Sequence, residues 1–392
     1  MTTILLITFW VVLILIISLF FVILIFYILG FDYMITALKN SFLGLEYGPS
    51  IDDYRFFNKK EIVKDVSFEI PRHSTIKIDL TDDLKSYNKK YKTTGLLITK
   101  DDQIVFEEYY GDTNCDSIFN TFSIAKTILS LLVSVAIDEN KINSLDDNIV
   151  DYLPEFINYK SKDITIEHLV SMTSGYDWKD NYKAFETFAR IYYGKDVNDY
   201  LLDRAFIHKP GTRFRYSSAS IQLLAIALSR AIDEPLYKYA SRKLWEPLEM
   251  TGSAYWYIDN TEFEKAFTGW CCNLMDLTKL GILIKNKGVY KSKQIINSDY
   301  INKMTSVQGN QFSGYDAIWV DYKNSPPKFY LSSGFLGQYL IVIPSKNIVI
   351  SRVGKSQLRD INVKKKVFFP SDIYFIVDEV EKILKSSSYL FE

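Results

Sequence analysis

Histidine and cysteine are scarce in this chain, with three of each among 392 residues. His73, His168 and His208 lie far apart without ligand spacing, and Cys115, Cys271 and Cys272 form neither an even disulfide framework nor a CxxC pair. No metal is expected. P-loop and dinucleotide fingerprints are missing, so no organic cofactor is expected either. The Gly-x-Ser-x-Gly arrangement, one route to a serine nucleophile, is also absent. Neither sign of charge dominates: 46 Lys and Arg face 47 Asp and Glu, with no basic stripe, so nucleic acid is not an expected partner. Long low-complexity tracts are lacking, and 48% hydrophobic with 15% aromatic residues excludes a disordered chain. The length suits one large domain or two smaller ones.

What the chain does have begins at its N-terminus. No charged side chain occurs from Ile4 to Leu29, and at about 1.5 Å per residue that run exceeds the ~30 Å hydrocarbon layer of a bilayer. A secretory signal would show a basic n-region, a shorter core and a small-x-small cleavage site. None is present, so residues 1–30 are read as an uncleaved single-pass anchor, with a cleaved signal or a buried core helix as the alternatives. No Lys or Arg precedes the span and only Lys39 follows closely, so loop charge leaves its orientation open.

Residues 31–90, mixed in polarity and weakly periodic, read as a tether and wrapping segment. The main domain is expected over 91–392. It opens with "TTGLLITK-DD-QIVFEEYYG", two β-type runs joined at Asp101-Asp102 as a hairpin. A helix over roughly 122–138 follows, then short helical patterns broken by turns. "KFYLSSG", "QYLIVIP" and "NIVISRVG" predict three further strands, and "SDIYFIVDEVEKILK" a closing helix capped by Ser371 or Asp372. Strands from both ends with helices between them predict an α/β (α+β) domain: one antiparallel sheet flanked by helices, a helical lobe, and a small-molecule cleft between the two.

Ser-x-x-Lys occurs four times, at Ser74, Ser86, Ser123 and Ser325. Ser74 and Ser86 fall in the expected tether, and two prolines after Ser325 forbid a helix there. Ser123 differs. Asn120 or Thr121 can cap the helix, placing Ser123 in its first turn, where free N–H groups and the dipole favour a developing oxyanion. Lys126 lies on the same face one turn on. Ile128, Leu129, Leu132 and Val135 would anchor the helix in the core, so Lys126 would be partly desolvated and its pKa lowered towards that of a usable base. The bland alternative is a helix entrance with a snorkelling lysine.

Two further stretches bear on the choice. In "KPGTRFRYSSASIQLLAIAL", Tyr216 sits on a loop at a helix mouth, where a phenol can relay protons; a packed loop tyrosine is the alternative. In "LSSGFLGQYLIVIP", Ser333 and Gly334 offer a strand edge for an acyl group, and the N–H of Phe335 can complete an oxyanion hole with that of Ser123. A plain hairpin turn is the alternative there.

Taken in order, "SIAK", "YSS" and "SSGFLG" resemble the Ser-x-x-Lys, Tyr-x-Asn/Ser and Lys/His-Thr-Gly elements of the serine β-lactamase-related hydrolases. That group includes class C β-lactamases, D-Ala-D-Ala peptidases, family VIII esterases and 6-aminohexanoate-dimer hydrolases. "ITIEHLVSMTSGYDW", "LWEPLEMTGSAYW" and "GWCCNLMDLTKLGILIKNKGVY" agree, and the likeness spans roughly residues 90 to 385. It implies a sheet flanked by helices, with the active site against a helical lobe. It also implies Ser123 as nucleophile, Lys126 as general base, Tyr216 sharing proton transfers, and Ser218, Ser332, Ser333, Gly334 and Phe335 lining the substrate site. Ser218 stands where many relatives have Asn, and Ser332 where they have Lys or His.

The expected function is therefore that of a membrane-anchored serine hydrolase cleaving a small ester or amide through an acyl-enzyme. Two alternatives stay open: an inactive tethered protein binding a peptide or cell-wall ligand, and a D-Ala-D-Ala-type peptidase or β-lactamase. Cell-wall-directed relatives imply a domain outside the cytoplasm. Serine at position 332 offers no cation to a substrate carboxylate. Penicillins and D-Ala-D-Ala peptides are thus expected to react poorly unless Arg352, Lys355 or Arg359 reaches the site, and neutral short-chain esters or uncharged amides to react better.

Overall fold

The computed structural model describes residues 2–44, 48–64, 66–157, 163–307, 318–321, 323–324, 328–361 and 369–388. The chain opens with helix α1 (Thr2–Ile28), apolar and exposed along its length, long enough for a membrane span or a signal sequence. Leu29 to Phe31 turn it into α2 (Asp32–Gly44), and strand β1 (Lys59–Ile62) follows. Helix α3 (Asp82–Lys90) starts at Thr81, whose hydroxyl accepts the Leu84 N–H. Strands β2 (Thr93–Lys100) and β3 (Gln103–Tyr109) form the expected hairpin. Its two turn residues have positive φ, 50° at Asp101 and 62° at Asp102, the backbone that matches the twist of paired strands.

Next come β4 (Phe119–Asn120), a single 3₁₀ turn, and α4 (Ala125–Asp138). The helical lobe holds α5 (Ile166–Val170), α6 (Thr187–Tyr193), α7 (Val197–Leu202), α8 (Ser218–Ile232) and α9 (Leu236–Ala240). Strands β5 (Ala254–Tyr257) and β6 (Trp270–Cys272) lead into α10 (Leu274–Lys285), the small hairpin β7 (Val289–Tyr290) and β8 (Lys293–Gln294), and α11 (Ser298–Met304). The chain finishes with β9 (Ile318–Val320), β10 (Tyr330–Gly334), β11 (Gln338–Ile343), β12 (Ile348–Gly354) and α12 (Asp372–Ser388).

The main sheet is antiparallel in the order β3-β2-β12-β11-β10-β9, so strands from the two ends of the domain meet at β2 and β12. Both faces are covered. Leu96, Ile98, Tyr339, Ile341 and Ile343 pack on the α12 side, while Leu97, Leu340 and Val342 point to the core shared with the helical lobe. Alternate side chains serve opposite layers, as the two-residue period of a strand dictates. On the lobe side α10 lies close on β11 and β12 because Gly281 has no Cβ; one there would stand 2.5 Å from Val349 and 2.7 Å from Leu340.

Much of the stretch 31–90, expected to be a tether and wrapping segment, packs on the body. Tyr33, Ile51, Ile62 and Leu84 are buried, and β1 pairs with β5 from Lys59↔Tyr257 to Ile62↔Ala254. It forms the edge of a second sheet, ordered β1-β5-β6-β4, which the sequence reading did not foresee. Ser86 consequently sits on α3, but on its exposed face. Ser325 lies outside the described residues.

Candidate active site

The second sheet delivers the entrance of α4. Asn120, fully buried, ends β4 and accepts the Phe122 N–H on Oδ1 (2.9 Å), and Thr121 fixes the turn by donating from both N–H and hydroxyl to the Trp270 carbonyl. Phe122 is held at φ 51°, a left-handed conformation that costs a β-carbon residue of order 1 kcal/mol. The local chain is thereby bent so that Ser123 is half exposed while Phe122, Ile124, Ala125 and Lys126 point inward. Two N-terminal contacts support this turn: the Ile51 carbonyl accepts the Asn120 N–H at 2.9 Å, and the Tyr192 hydroxyl lies between Asn120 Nδ2 (3.2 Å) and the Asp53 carboxylate (2.6 Å).

Lys126 is wholly buried. Its Nζ lies 3.0 Å from Ser123 Oγ and 2.7 Å from the Phe267 carbonyl oxygen, with the Tyr216 ring centroid 5.2 Å away. The Tyr216 ring thus lies beside the Ser123–Lys126 pair; burial pushes the phenol's pKa up, the neighbouring Ser123 works against the rise, and the negative charge of Asp180 adds to it. Behind Tyr216, Trp319 stacks at 6.1 Å and 13°. Ser123, Lys126 and Tyr216, expected from two separate stretches, thus lie together around the Lys126 amine.

Strand β10 comes up against this turn at Gly334. A Cβ there would stand 2.1 Å from the Thr121 carbonyl oxygen, so only glycine permits the approach. Ser333 is half-buried beside it, and the Phe335 ring meets Phe122 edge-on at 5.6 Å.

Two expected lining residues are placed differently. Ser332 is 2% exposed and its hydroxyl pairs with Thr127 at 2.7 Å, tying β10 to α4 behind the site rather than facing substrate. Ser218 is buried at the start of α8, where its N–H and hydroxyl both donate to Asp180 Oδ2, at 3.1 and 2.9 Å. Asp180 also accepts from Trp178 Nε1 at 2.7 Å; burial pushes its carboxyl pKa up, and the charge of Lys126 opposes the rise. Neither Asp180 nor the Phe267 carbonyl was foreseen. Asp180 follows "MTSGYDW" by two residues and could have been noticed; a main-chain oxygen leaves no trace in sequence.

The cations of the 352–359 stretch divide. Arg352 is 1% exposed and spends its guanidinium on Thr93 Oγ1 and the carbonyls of Tyr91, Gly337 and Ser356. Lys355 pairs with Asp52 at 3.2 Å. Exposed Arg359 lies over the Phe335 ring, 5.6 Å from its centroid, at the rim of the site. Among the described residues no group of three His, Cys, Asp or Glu is placed to hold a metal.

Comparison with known proteins bears on the family and the fold. The Beta-lactamase family model matches residues 80–359. "Beta-lactamase-like protein 4" of Dictyostelium discoideum is 29% identical over 221 residues, 47% of this chain and 39% of that protein; the chain matches well under half the length of this and the next curated relatives. Among solved structures, a Bacillus anthracis protein described as a 6-aminohexanoate-dimer hydrolase superposes with TM-score 0.70 at 20% identity, over 87% of this chain and 92% of its own. A family VIII carboxylesterase does so with TM-score 0.59 at 16% identity, over 77% and 96%. At these identities the superpositions establish the fold.

Proposed function

This chain belongs to the beta-lactamase family, the serine β-lactamase-related hydrolases, and from that premise we propose that it is a membrane-anchored serine hydrolase cleaving an ester or amide through an acyl-enzyme on Ser123. The observation that carries the reading is the 3.0 Å approach of buried Lys126 Nζ to Ser123 Oγ, with the Tyr216 ring 5.2 Å from the same amine. As a neutral amine, Lys126 accepts the Ser123 proton while still donating to the Phe267 carbonyl. Ser123 Oγ then bonds the substrate carbonyl carbon, and the resulting oxyanion lies towards the N–H groups of Ser123 and Phe335. The proton passes through Lys126 and Tyr216 to the leaving oxygen or nitrogen as that bond breaks. Water repeats the sequence on the acyl-enzyme and releases the acid.

Asp180 is a positioning residue in this scheme. It holds the start of α8, and with it Tyr216, two residues before Ser218. The substrate favoured is a neutral ester or uncharged amide, because Ser332 is turned to Thr127 and Arg352 and Lys355 have other partners. The catalytic domain is proposed to lie outside the cytoplasm, on the end of the α1 anchor.

Intact-mass analysis of the full-length protein after exposure to a fluorophosphonate tests the chemistry. One adduct, mapped to Ser123 and lost in Ser123→Ala, is the expected result. Absence of an adduct with this reagent and with a panel of activated esters and amides favours instead a ligand-binding protein without turnover.

A further inference from the structure

Helix α2 has two unlike faces. Tyr33, Ala37 and Asn40 are buried against the body, while Leu38 and Phe42, one turn apart on the other side, are 60% and 79% exposed, with Leu43 beside them at 49%. Large apolar side chains aligned on an outer helix face need a partner that water does not supply. The occupant is indicated by position. Only Leu29, Gly30 and Phe31 separate α2 from α1, whose apolar surface is exposed along most of its length, so a bilayer around α1 would begin where α2 starts. Lys39, exposed on the same helix, can keep its stem along the acyl region and its ammonium at the headgroups.

The opposite side of α2 leads to the cleft. Its Tyr33 ring lies 5.6 Å from the Arg190 guanidinium on α6, and Asp32 pairs with Lys195 at 3.4 Å, a lysine that also meets Tyr27 of α1 at 3.3 Å. From α6, the Phe188 ring meets Phe267, whose carbonyl holds Lys126. A second tie is shorter in sequence. Phe185 packs on Phe26 at 6.0 Å and on Phe31 at 5.2 Å, and it follows Asp180 of the site by five positions. That span covers at most about 18 Å when extended.

We propose that α2 lies in the interface of the bilayer that α1 spans, and that the Ser123 site, linked to α2 through α6, takes its substrate from that bilayer: an amphiphilic ester or amide whose acyl chain stays among the lipids. This rests on the hydrolase and anchor readings above and narrows their substrate class. It differs from tethering alone, in which a soluble substrate would serve equally well.

The test uses full-length protein in phosphatidylcholine vesicles, with p-nitrophenyl acetate in the water and p-nitrophenyl palmitate in the lipid. The variant Leu38→Asp/Phe42→Asp is expected to float with the vesicles as wild type does, because α1 is intact. It should keep acetate turnover within twofold and lose palmitate turnover tenfold or more. An unchanged palmitate rate, or a parallel fall on both esters, overturns the proposal. Location is read independently from an NBD fluorophore on Phe42→Cys in a Cys115→Ser background. Quenching by doxyl-lipids with protection from aqueous iodide is expected; iodide quenching without doxyl quenching overturns the interfacial position, whether or not an ester is cleaved. Failure of the wild type to float removes the anchor, and failure to cleave either ester removes the hydrolase reading, so each fault shows separately.

Discussion

Phe267 presents its carbonyl oxygen 2.7 Å from Lys126 Nζ, an acceptor for the same amine that lies 3.0 Å from Ser123 Oγ. A primary amine can satisfy that acceptor and still offer its lone pair to the serine. A guanidinium cannot, since it donates everywhere and does not lose a proton near neutral pH. Lys126→Arg should therefore fall at least about a thousandfold in kcat/KM on any ester the wild type cleaves. Retention of more than a tenth of the activity would move the base to Tyr216.

Ser123→Ala removes one hydroxyl, and with it a hydrogen bond to buried Lys126, a loss of about 1 kcal/mol, so the thermal midpoint should fall by about 4 °C or less while turnover disappears. A variant that hydrolyses normally, measured beside a melting curve, would end the nucleophile assignment.

Asp180→Asn keeps an oxygen for Ser218 but deletes a negative charge near Lys126. Without that carboxylate the protonated amine is less favoured, so the acid limb of the pH–rate profile should move to lower pH. A profile that only drops in height, without moving, would mean that Asp180 acts solely through the position of α8.

Lys265 is fully buried with its Nζ on the carbonyls of Tyr192 (2.7 Å) and Gly194 (2.8 Å), and burial pushes its pKa from 10.5 down to about 7. Between those two values the unfolded chain binds a proton that the folded one does not, so this group makes unfolding harder as pH rises from about 7 towards 10.5. Below about pH 7 its cost to the fold is fully present. Lys279, pushed down to about 8, acts in the same sense. Melting curves in detergent at pH 7, 8 and 9 should show a smaller rise with pH for Lys265→Met than for wild type; equal slopes would contradict the assignment.

Arg359 is the cation of its stretch left at the rim, over Phe335. Arg359→Ala should lower kcat/KM several-fold on a cephalosporin, which carries a carboxylate, and leave a neutral ester within twofold. Such a contact is worth about 1 kcal/mol in an exposed setting. An equal effect on both substrates would assign Arg359 to holding Phe335 rather than to charge recognition.

Local signals were legible in the sequence. The Asp101-Asp102 turn and the apolar runs of β11 and β12 need only neighbouring residues to be recognised, and the order of "SIAK", "YSS" and "SSGFLG" brought together a serine, a lysine and a phenol from distant stretches. What escaped depends on contacts between remote segments. Strand β1 is "KKEI", with no apolar alternation, and becomes a strand only because β5 lies beside it. Ser332 could not be known to face Thr127 until α4 and β10 were set against each other. Arg352 looks like a free cation until its carbonyl partners, some 260 residues away in Tyr91 and near at hand in Gly337, are folded around it.

The Ile51 carbonyl on Asn120 and the Asp53 carboxylate on Tyr192 place the support of the turn that carries Ser123 in the short stretch between α2 and β1. A protease cutting that stretch would then have two outcomes, set by a few residues. A cut before Ser50 leaves both braces on the main domain, whereas a cut after Asp53 separates both from it. The scissile position alone would decide whether the turn that carries Ser123 keeps its support.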